Sequence, residues 1–305
     1  MDLIERAGQK LGIPTRKSLV EKVAERAEPA PAAPVAPPPV VEVPRAGLPR
    51  QAEAETAADK RRSRQFLEID MERLREMGFA PPGDQSIVAE EIRLIKRPLL
   101  TNAFAASKRV ENANLIMVTS AGPSEGKTFV AANLALSMAS EHDVHVLLID
   151  ADVAKPSVPR IFDFKAEIGL LDVVEDPSLD LADVLIRTSI EDLSIMPAGR
   201  YSTLSNELLA SARMVSFVND IARRYNDRIV IFDSPPLLAR TEPSVLARHV
   251  GQIVFVVQAE KTSRAAMNEA LSLLGKDKLG GVVLNRTHSL YGSERFGQYY
   301  RYYNR

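Results

Sequence analysis

Residues 117–139 read MVTSAGPSEGKTFVAANLALSMA, and their order decides the fold. An apolar run ends in a loop of small residues, and an apolar helical stretch follows at once. Within the loop, Ala121-x-x-x-x-Gly126-Lys127-Thr128 matches the phosphate-binding loop pattern, with alanine in the first glycine position. The chemistry accounts for the residue types. Gly126 lets the backbone come close to phosphate oxygens, and successive amides at a helix start form an anion nest. Lys127 is placed to bridge the β- and γ-phosphates, and Thr128 offers a hydroxyl to Mg²⁺. The run Gly122, Pro123, Ser124, Glu125, Gly126, Lys127, Thr128, Phe129 is therefore expected to line a nucleotide site. A GKT triplet is common by chance, but one set between an apolar strand and an apolar helix is not.

Outward from this loop, short β-branched runs alternate with helical stretches. The expected strands are Leu115–Thr119, Val144–Ile149, Leu193–Met196, Ile229–Phe232, Ile253–Gln258 and Gly281–Leu284. Continuous apolar runs separated by helices indicate strands buried on both faces of a parallel sheet. The expected fold is α/β: a doubly wound, mostly parallel P-loop NTPase-type sheet over about 112–288, with helices on both faces.

A phosphoryl-transfer site also needs carboxylates for a metal and for the attacking oxygen. VHVLLIDADVAKP ends one strand in Asp150 and Asp152, and IVIFDSPPLL ends another in Asp233, the Walker B position. Such strand ends face the crevice beyond the sheet's carboxyl edge. A lone Asp after a strand is usually a cap or turn residue; three of them downstream of a phosphate loop are harder to dismiss. Mg²⁺ is assigned to Thr128, Asp152 and Asp233. Asp150 is assigned to the incoming hydroxyl, with the reverse division between Asp150 and Asp152 left open. Asn285, closing the VVLN run, either meets the adenine edge or is a strand-terminal turn residue. No N-K-x-D guanine-reading sequence is present, which favours ATP over GTP.

The flanks differ in character. Residues 1–28 have helical spacing, and 29–50 hold eight prolines, so 29–60 is expected to be an extended linker. Residues 61–111 are expected to form a helical extension, with one helix over 61–78 and another from Ser86 to Ser107. Beyond 288 the apolar pattern stops. Five of the chain's seven tyrosines, Tyr291, Tyr299, Tyr300, Tyr302 and Tyr303, fall in the last fifteen residues, interleaved with glycine and arginine. A net charge of −1 gives no reason to expect nucleic acid. The absence of cysteine excludes disulfides and thiolate chemistry. Apolar runs such as Ile253–Val257 fall far short of the ~20 residues of a membrane span, and no secretory signal is expected.

Together these residues resemble the bacterial tyrosine kinases, or BY-kinases, of capsule and exopolysaccharide assembly. The resemblance spans about 86–305 and rests on SAGPSEGKT, LLIDADVAKPS, IVIFDSPP and the terminal tyrosines. Glu90-x-x-Arg93-x-x-Lys96 is similar to that family's ExxRxxR oligomerisation motif, with lysine in the last arginine position. Ala154 stands where many members have arginine. MDLIERA, the proline-rich spacer and EIDMERLREMGF resemble the soluble autokinases of exosortase-type loci. The resemblance implies an ATP- and Mg²⁺-dependent autokinase with Tyr291, Tyr299, Tyr300, Tyr302 and Tyr303 as phosphoacceptors. It implies a homo-oligomer, an activating membrane polysaccharide co-polymerase, a resetting tyrosine phosphatase, and a place at the inner face of the membrane reached through that partner. The rival is a partition or septum-positioning ATPase. Those proteins usually carry an extra lysine early in the loop, and none occurs between Asn112 and Glu125.

Overall fold

A computed structural model of the protein describes residues 66–104, 110–201, 204–225, 227–275 and 278–287. The expected N-terminal helices, the proline-rich linker and the terminal tyrosines lie outside the described residues.

Eight strands form one sheet: β1 (Phe66–Leu67), β2 (Leu115–Ser120), β3 (His145–Asp150), β4 (Ile186–Thr188), β5 (Leu193–Met196), β6 (Arg228–Asp233), β7 (Gln252–Gln258) and β8 (Leu279–Asn285). Their order is β1-β4-β5-β3-β6-β2-β7-β8, and every pairing is parallel except that of β4 with β5. Between them run α1 (Met71–Glu76), α2 (Ile87–Phe104), α3 (Lys127–Met138), α4 (Val158–Phe162), α5 (Leu170–Glu175), α6 (Leu181–Val184), α7 (Ser205–Leu209), α8 (Ala212–Arg224), α9 (Glu242–Ala247) and α10 (Arg264–Ser272). Among the described residues no helix is long and apolar enough to cross a membrane.

The central strands read as unbroken apolar runs because both of their faces are covered. Along β2, Leu115 and Met117 join one core with α5, α8 and α9, while Ile116 and Val118 join the other with α2, α3 and α4. This is the period-two alternation of a strand buried on both sides. It repeats in β7, where Ile253, Phe255 and Val257 alternate with Val254 and Val256. Helix α3 is apolar nearly all round and lies buried against the sheet, as such a helix must.

The six expected strands are present. Of the helix expected over 61–78, residues 61–65 lie outside the described residues, Phe66–Leu67 is a strand and the helix starts after Asp70. Asp70 Oδ1 accepts from the amides of Glu72 at 3.0 Å and Arg73 at 2.9 Å, which caps α1. Phe66 and Leu67 pair with Arg187 and Thr188 of β4, and the Ile69 amide donates to Ser189 Oγ at 3.0 Å. A remote strand partner thus overrides helical spacing. Leu74, Phe79, Ile92 and Leu99 share one core with the sheet, so the packed domain starts well before residue 112. Within α2, Ile87 of the expected apolar stripe is exposed.

Candidate active site

The sheet's carboxyl edge carries the site. The loop between β2 and α3 turns on left-handed backbone at Ser124, φ 65°, and Gly126, φ 98°, the alternation that aims successive amides into one concavity. Gly126 is needed twice over. A Cβ there would lie 1.9 Å from Asn285 Nδ2, and that amide donates to the Glu125 carbonyl at 2.9 Å. Ser120 Oγ donates to the Gly122 carbonyl at 2.7 Å, and the Gly122 amide donates to Glu125 Oε2 at 2.9 Å. The Thr262 hydroxyl donates to the other Glu125 oxygen. The Glu125 side chain therefore braces the loop from within. Pro123 and Ser124 are exposed on its rim. The Phe129 ring packs 5.0 Å from that of Phe79, which leaves its backbone as the part available to a ligand.

Lys127, the first residue of α3, is buried. It lies close enough to Asp152 and Asp233 to lower the pKa of both. The three carboxylates are not equivalent. Asp150 is fully buried; its Oδ2 accepts from the Ser157 and Val158 amides, both at 3.0 Å, and its Oδ1 from the Asp152 amide at 3.3 Å. Burial, with Asp233 opposite it in register, pushes the Asp150 carboxyl well up. These contacts tie the Asp150 oxygens to loop 151–158. Asp152, presented by that loop, is only partly buried. Burial raises its pKa against the opposing Lys127, Arg240 and Lys155 charges.

Asp233 is buried completely, and neither oxygen completes a hydrogen bond. The Thr128 hydroxyl is near enough to lower its pKa but falls short of full hydrogen-bond geometry. Burial dominates and pushes the carboxyl up to about 7. An ionised carboxylate without a partner in such a place costs several kcal/mol, so the position calls for a proton or a cation. Thr128, Asp233 and Asp152 fit Mg²⁺. Among the described residues no cluster of three or more His, Cys, Asp and Glu forms an all-protein metal cage; a Mg²⁺ here would share its shell with phosphates and water.

The sign of the pH dependence follows. Between an unfolded pKa of about 4 and the folded value of about 7, the folded protein holds a proton that the unfolded chain has released. Metal-free stability should fall as pH rises across that window. Binding of Mg²⁺ with nucleotide should strengthen by up to about tenfold per pH unit there and level off above it. Melting curves and metal titrations from about pH 4 to about pH 8, spanning the unfolded and folded pKa values, check this, and Asp233→Asn should flatten both trends.

Two features escaped the sequence reading. Arg240, beyond β6, bonds Asn206 Oδ1 at 3.1 Å and acts on Asp152. Thr262 braces the phosphate loop from 137 residues away. Of the expected oligomerisation residues, Arg93 pairs with Glu90 and donates to the Asp84 carbonyl at 3.0 Å. Lys96 is buried, 2.7 Å from the Ser137 carbonyl and 2.6 Å from Glu141 Oε1. It joins α2 to the end of α3 within one protomer.

With this geometry in place, comparison with known proteins is informative. A family model described as ParA, NUBPL iron-transfer P-loop NTPase, matches residues 111–285; with no cysteine, the chain lacks thiolate ligands for iron. The tyrosine-protein kinase YwqD of Bacillus subtilis is 33% identical over 215 residues, covering 68% of this chain and 86% of that protein. The tyrosine-protein kinase wzc of Salmonella typhimurium is 31% identical over 191 residues, 62% of this chain but 26% of the longer relative. The crystal structure of the chimerical protein CapA2B2 superposes with a TM-score of 0.60 at 28% identity, covering 73% of this chain and 93% of that one.

Proposed function

This chain belongs to the bacterial tyrosine-protein kinase family, and from that premise we propose that it transfers the γ-phosphoryl group of ATP to tyrosines of its own C-terminal cluster. The observation that carries the reading is the pairing of a phosphate loop and Lys127 with Asp233, whose buried oxygens lack any partner. The five tyrosines at 291–303 supply acceptors on the same polypeptide.

The loop amides and Lys127 hold the triphosphate. Mg²⁺ held by Thr128 and Asp233, with Asp152 in its outer shell, would neutralise charge developing on the phosphoryl oxygens. Asp152 orients the phenol and receives its proton as the new O–P bond forms and the β–γ bond breaks, releasing ADP. Asp150 positions the loop that presents Asp152. Positioning and electrostatics supply most of the catalysis in such a site.

Each phosphate adds roughly −1.5 to −2 charges near pH 7. A multiply modified cluster would repel neighbouring acidic surfaces and dissolve a homo-oligomer, and a tyrosine phosphatase would reset it. The cycle would regulate exopolysaccharide synthesis or export at the inner face of the membrane, with a membrane polysaccharide co-polymerase as activator. Glu90, Arg93 and Lys96 would serve the oligomer through the α2 surface that they shape.

The test is labelling with ATP and Mg²⁺. The full chain should carry phosphotyrosine between 291 and 303, by mass spectrometry. Removing residues 291–305 should cut the label at least about tenfold (the factor that separates lost acceptors from scatter) with ATP binding unchanged. Undiminished label, or ATP hydrolysis with no labelled protein, would contradict the proposal.

A further inference from the structure

Among the described residues, the buried side-chain polar atoms without a hydrogen bond are the two Asp233 oxygens and Gln258 Oε1. They lie on opposite sides of the phosphate loop. The loop follows β2, which is flanked by β6 and β7. Asp233 ends β6, with Asp150 ending β3 beyond it. Gln258 ends β7, with Asn285 beside it in register on β8.

The expected direction of a bound nucleotide follows from this arrangement. The terminal phosphate belongs on the β6 side, where Lys127, Asp152 and Asp233 gather. The nucleoside then runs the other way, over the ends of β7 and β8, which carry neutral amide side chains suited to a base. Of those two, Asn285 holds the phosphate loop, its Nδ2 donating to the Glu125 carbonyl at 2.9 Å. Gln258 retains an unused acceptor. Its position is also tied to the phosphate loop. The Gln258 amide donates to Thr262 Oγ1 at 3.0 Å, and that hydroxyl donates to Glu125. The Thr262 amide returns to the Gln258 carbonyl at 3.1 Å, closing the turn.

We infer that Gln258 reads the base, its Oε1 accepting a hydrogen bond from the exocyclic 6-amino group of adenine. This rests on the ATP reading above. Adenine has a donor at that position, whereas guanine has a carbonyl, which would set acceptor against acceptor. An unmet buried acceptor discriminates strongly, because the wrong base leaves it without a partner. Glu125 and Thr262 act as positioning residues, holding the reading turn and the phosphate loop in one register.

The test compares binding of ATP, GTP and purine riboside triphosphate, which lacks the 6-amino group, to the full chain and to Gln258→Met and Gln258→Glu. Inorganic tripolyphosphate reports on the phosphate loop alone. The full chain should prefer ATP over the purine analogue by about tenfold or more. Gln258→Met should abolish that preference by weakening ATP alone, with tripolyphosphate binding unchanged. Gln258→Glu, which keeps an acceptor, should retain the ratio even if every affinity falls. An unchanged ratio in Gln258→Met, no preference in the full chain, or tighter GTP than ATP would overturn the inference and leave the phosphate site standing. Failure of every nucleotide and of tripolyphosphate to bind would overturn the ATP reading itself, and the inference with it.

Discussion

Replacing Lys127 with methionine should lower tyrosine phosphorylation by about a thousandfold or more, the scale seen when a charge-stabilising group is removed from a preorganised site. Methionine matches the length of the lysine stem, so the start of α3 should pack as before. What disappears is a buried cation at the loop that acts on both Asp152 and Asp233. Its loss acts in two ways. The transferring phosphoryl group loses its stabilising charge, and both carboxyls rise further, because Lys127 lowers their pKa in the native protein. The variant should therefore need a higher pH to bind metal as well as being slow. Single-turnover labelling at saturating ATP from about pH 6 to about pH 9, on both sides of the Asp233 pKa of about 7, separates the two effects. A rate within about tenfold of the unaltered protein across that range would show that Lys127 does not face the transferring group.

Gly126→Ala should abolish measurable ATP binding, a loss of at least about a hundredfold set by two independent penalties that compound. One is backbone: φ of 98° at this position is strained for any residue with a Cβ. The other is steric: the new methyl would sit 1.9 Å from Asn285 Nδ2, so the amide that holds the Glu125 carbonyl must leave. Combining Gly126→Ala with Asn285→Ala removes the clash and keeps the backbone strain. Calorimetry should find the double variant binding ATP more tightly than Gly126→Ala alone yet more weakly than the unaltered chain. Identical binding by the two variants would mean that contact with Asn285 plays no part.

What could be read from the sequence follows from how local each signal is. Strands β2, β3, β5, β6 and β7, each four to seven residues long, are legible because burial on both faces demands continuous apolar runs; the edge strand β8 is legible from its GVVL run although Val282 and Leu284 are exposed. Strands β1 and β4, two and three residues long, are too short to show a period. Phe66, Ile69, Met71 and Leu74 happen to fall at helical spacing, so β1 reads as helix until its partner across the fold is known. The phosphate loop is legible because its function needs contiguous residues.

The rest of the site is not contiguous. Asp150 and Asp152 differ by two positions in sequence, and only the path of loop 151–158 makes one a buried anchor and the other a group at the crevice. Thr262 and Gln258 lie more than a hundred residues beyond the loop that they brace, and ordinary turn chemistry gives no hint of that contact. Lys96 reads as a surface charge in a helical motif, while the structure ties it to the Ser137 carbonyl and Glu141.

The central claim is that the vacant hydrogen-bonding capacity of Asp233 serves a metal shared with the phosphates on Lys127. A crystal structure of the full chain with Mg²⁺ and a non-hydrolysable ATP analogue tests it most directly. The expected result is a metal bound by the Thr128 hydroxyl at about 2.1 Å, with Asp233 and Asp152 reached directly or through one water and the γ-phosphate against Lys127. A metal elsewhere, or a triphosphate lying over β7 and β8 away from the three acids, would contradict it.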